Sequence, residues 1–271
     1  MPISNGPENI QLIDSHCHLD MEAFAQDLDQ VIDQAKGAGV ETIITIGIDK
    51  ASSMQAVQLA ERYPSIYAAV GVHPHDAAGV NDTDFDEIAQ LSAHEKVVGY
   101  GEIGLDYAKM YSPKNIQQQI FSRQLALAKE LNLPVIIHDR DAHEDTLKTL
   151  RQHAPFPAGG VMHCFSGNIG LANQIVELGF FISIPGIVTF KNAKALQQVA
   201  CEMPLQSMLI ETDGPFLAPV PFRGKRNTPE LLRYTAEKIA QLRDTTLEAV
   251  ATQTTNNARV LFNLPPAGTA Q

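Results

Sequence analysis

Tryptophan is absent, and aromatic residues make up only 6% of the 271 residues. A long platform on which successive nucleobases stack is therefore not expected. No apolar run reaches the roughly 18 residues that a membrane-spanning helix needs. Cys17, Cys164 and Cys201 are too few, and odd in number, for a disulfide framework, so a reducing, cytoplasmic setting is expected. The N-terminal stretch to Gln11 has no Lys or Arg and no apolar segment, which argues against a secretory signal. Basic residues are also scarce: 20 Lys and Arg stand against 31 Asp and Glu, for a net charge of −11. Such a surface repels nucleic acid on average, so a nucleic-acid substrate needs a local basic patch or bound metal ions.

What is present is alternation. Short apolar runs of β type recur at Leu12–His18, Glu41–Gly47, Ile66–His73, Lys96–Ile103, Pro134–His138, Gly160–Phe165, Phe180–Ile184 and Met208–Asp213. Runs such as ETIITIG and PVIIH are apolar throughout, as strands covered on both faces are. Amphipathic helical segments lie between them. Phe24, Leu28, Val31, Ile32 and Ala35 fall on one stripe that Gly37 and Gly39 end. Ser112-Pro113 reads as a cap and first turn of a long helix to Leu131, Thr228-Pro229 repeats it, and Thr245 with Glu248 fits a capping box. Eight strands with seven or eight helical segments between them predict a single-domain (β/α)8 TIM-type barrel over residues 11–264, distortion allowed, with a flexible head 1–10 and tail 265–271. An open doubly wound sheet is the runner-up. Gly99–Gly104 reads G-x-G-x-x-G but sits on the fourth strand with no helix directly after it, so it is not a phosphate loop.

Five of the strands finish in potential metal ligands: His16 and His18, Glu102, His138, His163, and Asp213. Strand alternation puts His16 and His18 on one side and Cys17 on the other. In a barrel the shared side is the lumen and the C-terminal rim is where sites form, so distant residues converge. Ionisable groups ending apolar runs are costly unless paired or metal-bound. Six nitrogen and oxygen donors exceed one zinc site and suit two divalent ions bridged by a carboxylate, with Zn, Mn, Co or Mg all permitted. Cys17 and Cys164 should point outward and be structural, and His75, His94, His143 and His153 should lie in solvent-side loops or on the surface.

The segments DSHCHLD at 14–20, GVHPH at 71–75, GEIGLDY at 101–107, PVIIHDR at 134–140, HCFSG at 163–167 and ETDGPFLAPVPFRGKRNTP at 211–229 resemble the TatD-type metal-dependent hydrolases of the amidohydrolase-like barrel group. The resemblance spans about residues 12–264. It implies that His16, His18, Glu102 and Asp213 hold one ion and Glu102, His138 and His163 the other, with Glu102 as bridge where many relatives carry a carbamylated Lys. It also implies a hydrolase of ester bonds, most simply a 3′-exonuclease-like DNase working through a metal-bridging hydroxide. The alternative is a deacylase or amidohydrolase acting on an ester or amide such as aminoacyl-tRNA. Nucleic-acid ends or a small ester are the expected partners, with no membrane and no obligate protein partner.

Asp213 is expected to act as ligand and as acceptor of the attacking water's proton. His73 can hydrogen-bond a phosphate oxygen, protonate a leaving group, or support another residue. Arg223, Lys225 and Arg226 form a tight basic cluster, and Arg223 and Arg226 are expected to bind phosphate. Asn227 would orient that loop, and Glu211 shares the parity of Asp213 as a partner behind the ligands.

Overall fold

The computed structural model describes residues 10–266. Eight parallel strands lie in chain order around one sheet. They are β1 (Leu12–Cys17), β2 (Val40–Ile46), β3 (Ile66–Val70), β4 (Val97–Asp106), β5 (Val135–Arg140), β6 (Gly160–Met162), β7 (Phe181–Ile184) and β8 (Met208–Ile210). Helices α1 (Leu28–Gly37), α2 (Lys50–Arg62), α3 (Asp82–Leu91), α4 (Lys114–Glu130), α5 (His143–His153), α6 (Ile169–Glu177), α7 (Lys194–Glu202) and α8 (Leu232–Arg243) follow the strands one by one, and α9 (Leu247–Phe262) ends the fold. This is the (β/α)8 barrel the alternation predicts. Among the described residues no helix is long and apolar enough to cross a membrane.

The barrel closes at its rim. No ladder joins β8 to β1; a single parallel bridge pairs Cys17 with Gly214. The Asp213 amide donates to His16 O at 2.9 Å and the His18 amide to Gly214 O at 2.8 Å. Just below, the Asp14 carboxylate accepts the Thr212 amide at 2.9 Å and its hydroxyl at 2.5 Å.

Two apolar layers surround the sheet. The outer one packs strands against helices. The inner one gathers Ile13, Ile44, Ala69, Val98, Ile136, Val161 and Leu209 with Ala258, Leu261 and Phe262 of α9, so α9 caps the lumen at the strands' N-terminal end. Phe262 is 1% exposed. Phe262→Ala is expected to cost about 3–5 kcal/mol of stability in urea unfolding. Turnover per folded molecule should be unchanged, because the ligand residues stand at the opposite end.

Several boundaries differ from the pattern. β3, β6 and β8 stop short of His73, Phe165 and Asp213, whereas β4 and β5 run on to Asp106 and Arg140. Cys164 and Asp213 have φ of 44° and 58°, which ladder pairing cannot accommodate. The Ser112 hydroxyl is not a helix cap. It donates to His75 O and accepts the Ala78 amide, and α4 starts at Lys114. The last helix is capped by Thr246, one residue beyond Thr245, through the Ala249 amide. Phe24 belongs to a separate 3-10 turn. Ile10, placed in the flexible head, is buried in the outer core; residues 1–9 and 267–271 lie outside the described residues.

Candidate metal centre

Close packing of β4 on β5 brings the centre together. A methyl at Gly101 would meet Ile136 Cβ at 2.6 Å, and one at Gly104 would meet His138 O at 2.0 Å. Only glycine permits that approach. It sets Glu102 beside His138, with Nδ1 at 2.6 Å from Glu102 Oε1. His163 follows β6, its amide carrying the ladder on to Ile137 O at 3.0 Å. In β1 a register shift between Asp14 and Cys17 accompanies the inward turn of His16 and His18, while Cys17 enters the outer core as predicted.

Glu102 is the hub. Its Oε1 lies 2.9 Å from His163 Nε2 and 3.6 Å from His73 Nε2, and its Oε2 lies 3.3 Å from His16 Nε2 and 3.7 Å from His18 Nε2. Asp213 Oδ1 sits 3.8 Å from His16 Nε2 and 3.5 Å from His18 Nε2. The rings of His16 and His163 stack at 3.8 Å. All six predicted ligand residues thus meet at one place, and all but His138, which is half-buried, are buried. His16–His18–Asp213 and His16–Glu102–His163 each bring their donor atoms close enough to share one ion.

The outer nitrogens decide what the inner ones present. His18 Nδ1 lies 3.3 Å from Ile46 O, an acceptor only, so it carries the proton and Nε2 turns a lone pair inward. His138 Nε2 lies 3.3 Å from Asp106 Oδ2, and His163 Nδ1 lies 3.3 Å from Glu211 Oε1, so both rings also face Glu102 with lone pairs when neutral. Buried lone pairs converging on a carboxylate repel one another unless a cation stands among them. The donor set therefore fits divalent metal. His73 differs. Its Nδ1 accepts the His75 amide at 3.1 Å, so its Nε2–H points into the site as a donor. Distance alone groups His73 with Glu102 and His138 as a third possible ion site, but a protonated Nε2 cannot ligate.

The electrostatics follow the geometry. Burial works against the Glu102 charge, yet when the rings around it are protonated, His163 and His73 by their charge and His138 and His16 as hydrogen-bond donors hold its carboxyl well below the usual carboxylate range. Burial, then His163, pushes His16 down to about 4. Burial also opposes protonation of His163, but Glu102 and Glu211 outweigh it and raise this imidazole well above its ordinary value.

A cavity of about 510 Å³ opens above the cluster. Its wall holds residues that the sequence pattern did not single out. Lys109 and Arg140 line it, exposed, with no ion pair or side-chain hydrogen bond among the described residues. Tyr111 and Phe216 stand at the mouth, 68% and 48% exposed, the first against His75 and the second against His18. Asp106 is fully buried, bonded through Oδ2 to His75 Nε2 at 2.9 Å as well as to His138. A motif such as GLDY carried Asp106 in plain view, but only the extension of β4 past Ile103 reveals its position.

Four expectations need correction. Arg226 does not reach the cavity: its guanidinium grips Asp27 at 2.7 and 2.8 Å and donates to Ala23 O, which ties the final loop to the 3-10 turn before α1. Arg223 lies over the Phe190 ring at 4.6 Å, and neither Arg223 nor Lys225 lines the cavity. His75 is no solvent-side residue but a partner of Asp106 in the cavity wall. Cys164 lines the cavity instead of pointing outward, because strand alternation ends at Met162. Asn227 does brace its loop, donating to Thr212 O and Phe216 O at 2.7 Å each. Glu211 stands behind the ligands as parity predicts, and also accepts the Cys164 amide at 2.6 Å.

Comparison with known proteins agrees with this arrangement. The family model described as TatD related DNase matches residues 13–263. The chain is 48% identical to the metal-dependent hydrolase YabD of Bacillus subtilis, over 93% of this chain and 99% of that one. It is 40% identical to the metal-dependent hydrolase YcfH of Escherichia coli, over 93% and 96% respectively. The crystal structure of the TatD homolog YjjV from Escherichia coli superposes with a TM-score of 0.90 at 34% identity, covering 95% of this chain and all of that one. A barrel matched almost end to end, with every acid and imidazole of the expected ligand set drawn around one carboxylate, makes this chain a member of the TatD family of metal-dependent hydrolases.

Proposed function

We propose that the protein hydrolyses phosphodiester bonds at the ends of DNA, removing nucleotides from the 3′ side, with two divalent ions held in the centre. His16, His18, Glu102 and Asp213 would hold one ion, and Glu102, His138 and His163 the other. Ions bound there supply positive charge that acidifies water and neutralises a phosphate. The observation that carries the substrate reading is the pair of unpaired cations, Lys109 and Arg140, beside an anionic-ligand centre in a protein of net charge −11. They seat a phosphate, Arg140 by two parallel N–H donors and Lys109 as a point charge. Asp213 accepts the proton of the attacking water. The Nε2–H of His73 hydrogen-bonds a phosphate oxygen. It does not protonate the leaving group, since a neutral ring whose Nδ1 already accepts an amide would become an anion. Tyr111 and Phe216 offer one aromatic face on each side of the mouth, enough for a terminal base and too little for a long stacked strand. Three free thiols suit a cytoplasmic location.

Metal-loaded protein should shorten 5′-end-labelled single-stranded DNA one nucleotide at a time and leave the ester of aminoacyl-tRNA intact. The reverse outcome would establish the deacylase reading. Arg140→Ala is expected to raise KM for the DNA about tenfold, the worth of one charge-assisted hydrogen bond, with little effect on a neutral ester. Arg226→Ala should leave both KM values alone and lower only Tm. A larger KM effect in Arg226→Ala than in Arg140→Ala would return the phosphate site to the final loop.

A further inference from the structure

A second depression adjoins the catalytic cavity and takes no part in the chemistry above. It is a surface groove of about 1000 Å³ between α5 and α6. Ser166 lines both the groove and the cavity, so the two are neighbours around one residue. The upper end is also tied to the cavity: His143 of the groove bonds to Asp139 of the cavity wall at 2.7 Å. From His143 to Arg151 the groove follows α5 for about 12 Å at the helical rise per residue.

Its polarity changes along the way. Glu144 sits near the top, whereas Lys148 and Arg151 lie lower, one turn apart on the same face. The Lys148 side chain has no ion pair or hydrogen bond among the described residues. Arg151 has one, to the amide oxygen of Gln174 at 3.0 Å, and no carboxylate. Five of the other arginines find acids (Arg62 with Asp29, Arg123 with Asp82, Arg226 with Asp27, Arg233 with Glu237 and Arg259 with Glu41), Arg243 bonds backbone carbonyls, and Arg140 and Arg223 share with Arg151 the lack of a carboxylate partner among the described residues. Two cations left without carboxylates in a groove that leads to an active site are placed for a polyanion.

We infer that this groove carries the part of a nucleic-acid strand that lies behind the scissile end, with Lys148 and Arg151 on its phosphates. The inference rests on the phosphodiesterase reading and adds to it a reason for preferring a strand over an isolated nucleotide. It also answers the electrostatic objection, because a short cationic track replaces the broad basic surface that the composition lacks. The groove has no Phe, Tyr or Trp in its lining on which bases could stack, so the strand is held there by its backbone, and binding should be indifferent to sequence.

The test compares the double variant Lys148→Ala with Arg151→Ala against wild type on two substrates, a DNA dinucleotide and a single-stranded 12-mer. Both side chains are exposed, so the variant should melt as wild type does. Expected is a fall in kcat/KM of about tenfold on the 12-mer at low salt, no change on the dinucleotide, and a salt slope smaller by about 1.4, the value for two single-strand phosphate contacts. The control double variant Lys36→Ala with Lys238→Ala should change nothing. Equal losses on both substrates, or unchanged values on the 12-mer, would overturn the groove assignment while phosphodiester cleavage stands. Wild-type protein inert on both substrates would sink the phosphodiesterase reading and this inference with it.

Discussion

Glu102→Gln is expected to abolish hydrolysis, by more than about 10³-fold, and to cut the bound-metal stoichiometry from two to one or fewer. The size follows from how many groups this one carboxylate serves. His138, His163 and His73 approach one oxygen, and His16 and His18 the other. A glutamine offers a single acceptor oxygen, and its NH2 would face imidazole nitrogens. It also removes the negative charge that keeps the surrounding rings in place, so the loss lies in the upper part of the roughly 10²–10⁴-fold range typical of one acid–base group. Metal content by atomic absorption, measured beside turnover, checks both halves. Two ions retained together with high activity would remove Glu102 from the bridging position.

Asp213→Asn should behave differently, with turnover falling about 10²–10⁴-fold while most of the metal stays. Asparagine tolerates the left-handed backbone that Asp213 adopts at φ 58°, so the loop and its bond to His16 O survive. The amide oxygen still faces His16 and His18. What disappears is a basic oxygen able to take a proton from water. The kinetic signature is a fall in kcat with KM little changed. Activity near wild type would reduce Asp213 to a ligand alone. Parallel loss of metal and activity would show instead that it chiefly holds the ion.

The convergence of the six candidate ligands was legible because each of them ends an apolar run, and apolar runs that end in acids and imidazoles have few physical explanations. His16 and His18 could be assigned to one face from alternation alone, and the barrel brings them to Glu102 as that argument requires. Alternation failed where the strands did. Cys164 and Asp213 lie past the last ladder pair in left-handed backbone, so parity gave the wrong side for Cys164 and was right for Glu211 only through the loop's own bonds. The substrate wall was not legible. Arg226 looked free in the sequence because its acid, Asp27, lies 199 positions away. Lys109 and Tyr111 lie in the loop after β4 and Arg140 ends β5, and nothing in the spacing of single charged residues announces that they share a cavity. His73 could be named as a site residue but not given its role, which rests on a backbone amide two residues on.

The way the barrel closes has a consequence for biosynthesis. Asp14 and Thr212, which fasten the first strand to the last, are 198 positions apart, and the Asp213 amide that completes the rim bonds back to His16. Half of the ligand cluster therefore waits for partners that leave the ribosome only when nearly the whole chain has been made. A nascent or truncated polypeptide ending before that point has His16, His18 and Glu102 but lacks Asp213 and the bonds that close the rim beside them. A complete centre is thus a property of the nearly finished chain, because its last ligand candidate and the contacts that close the rim arrive together.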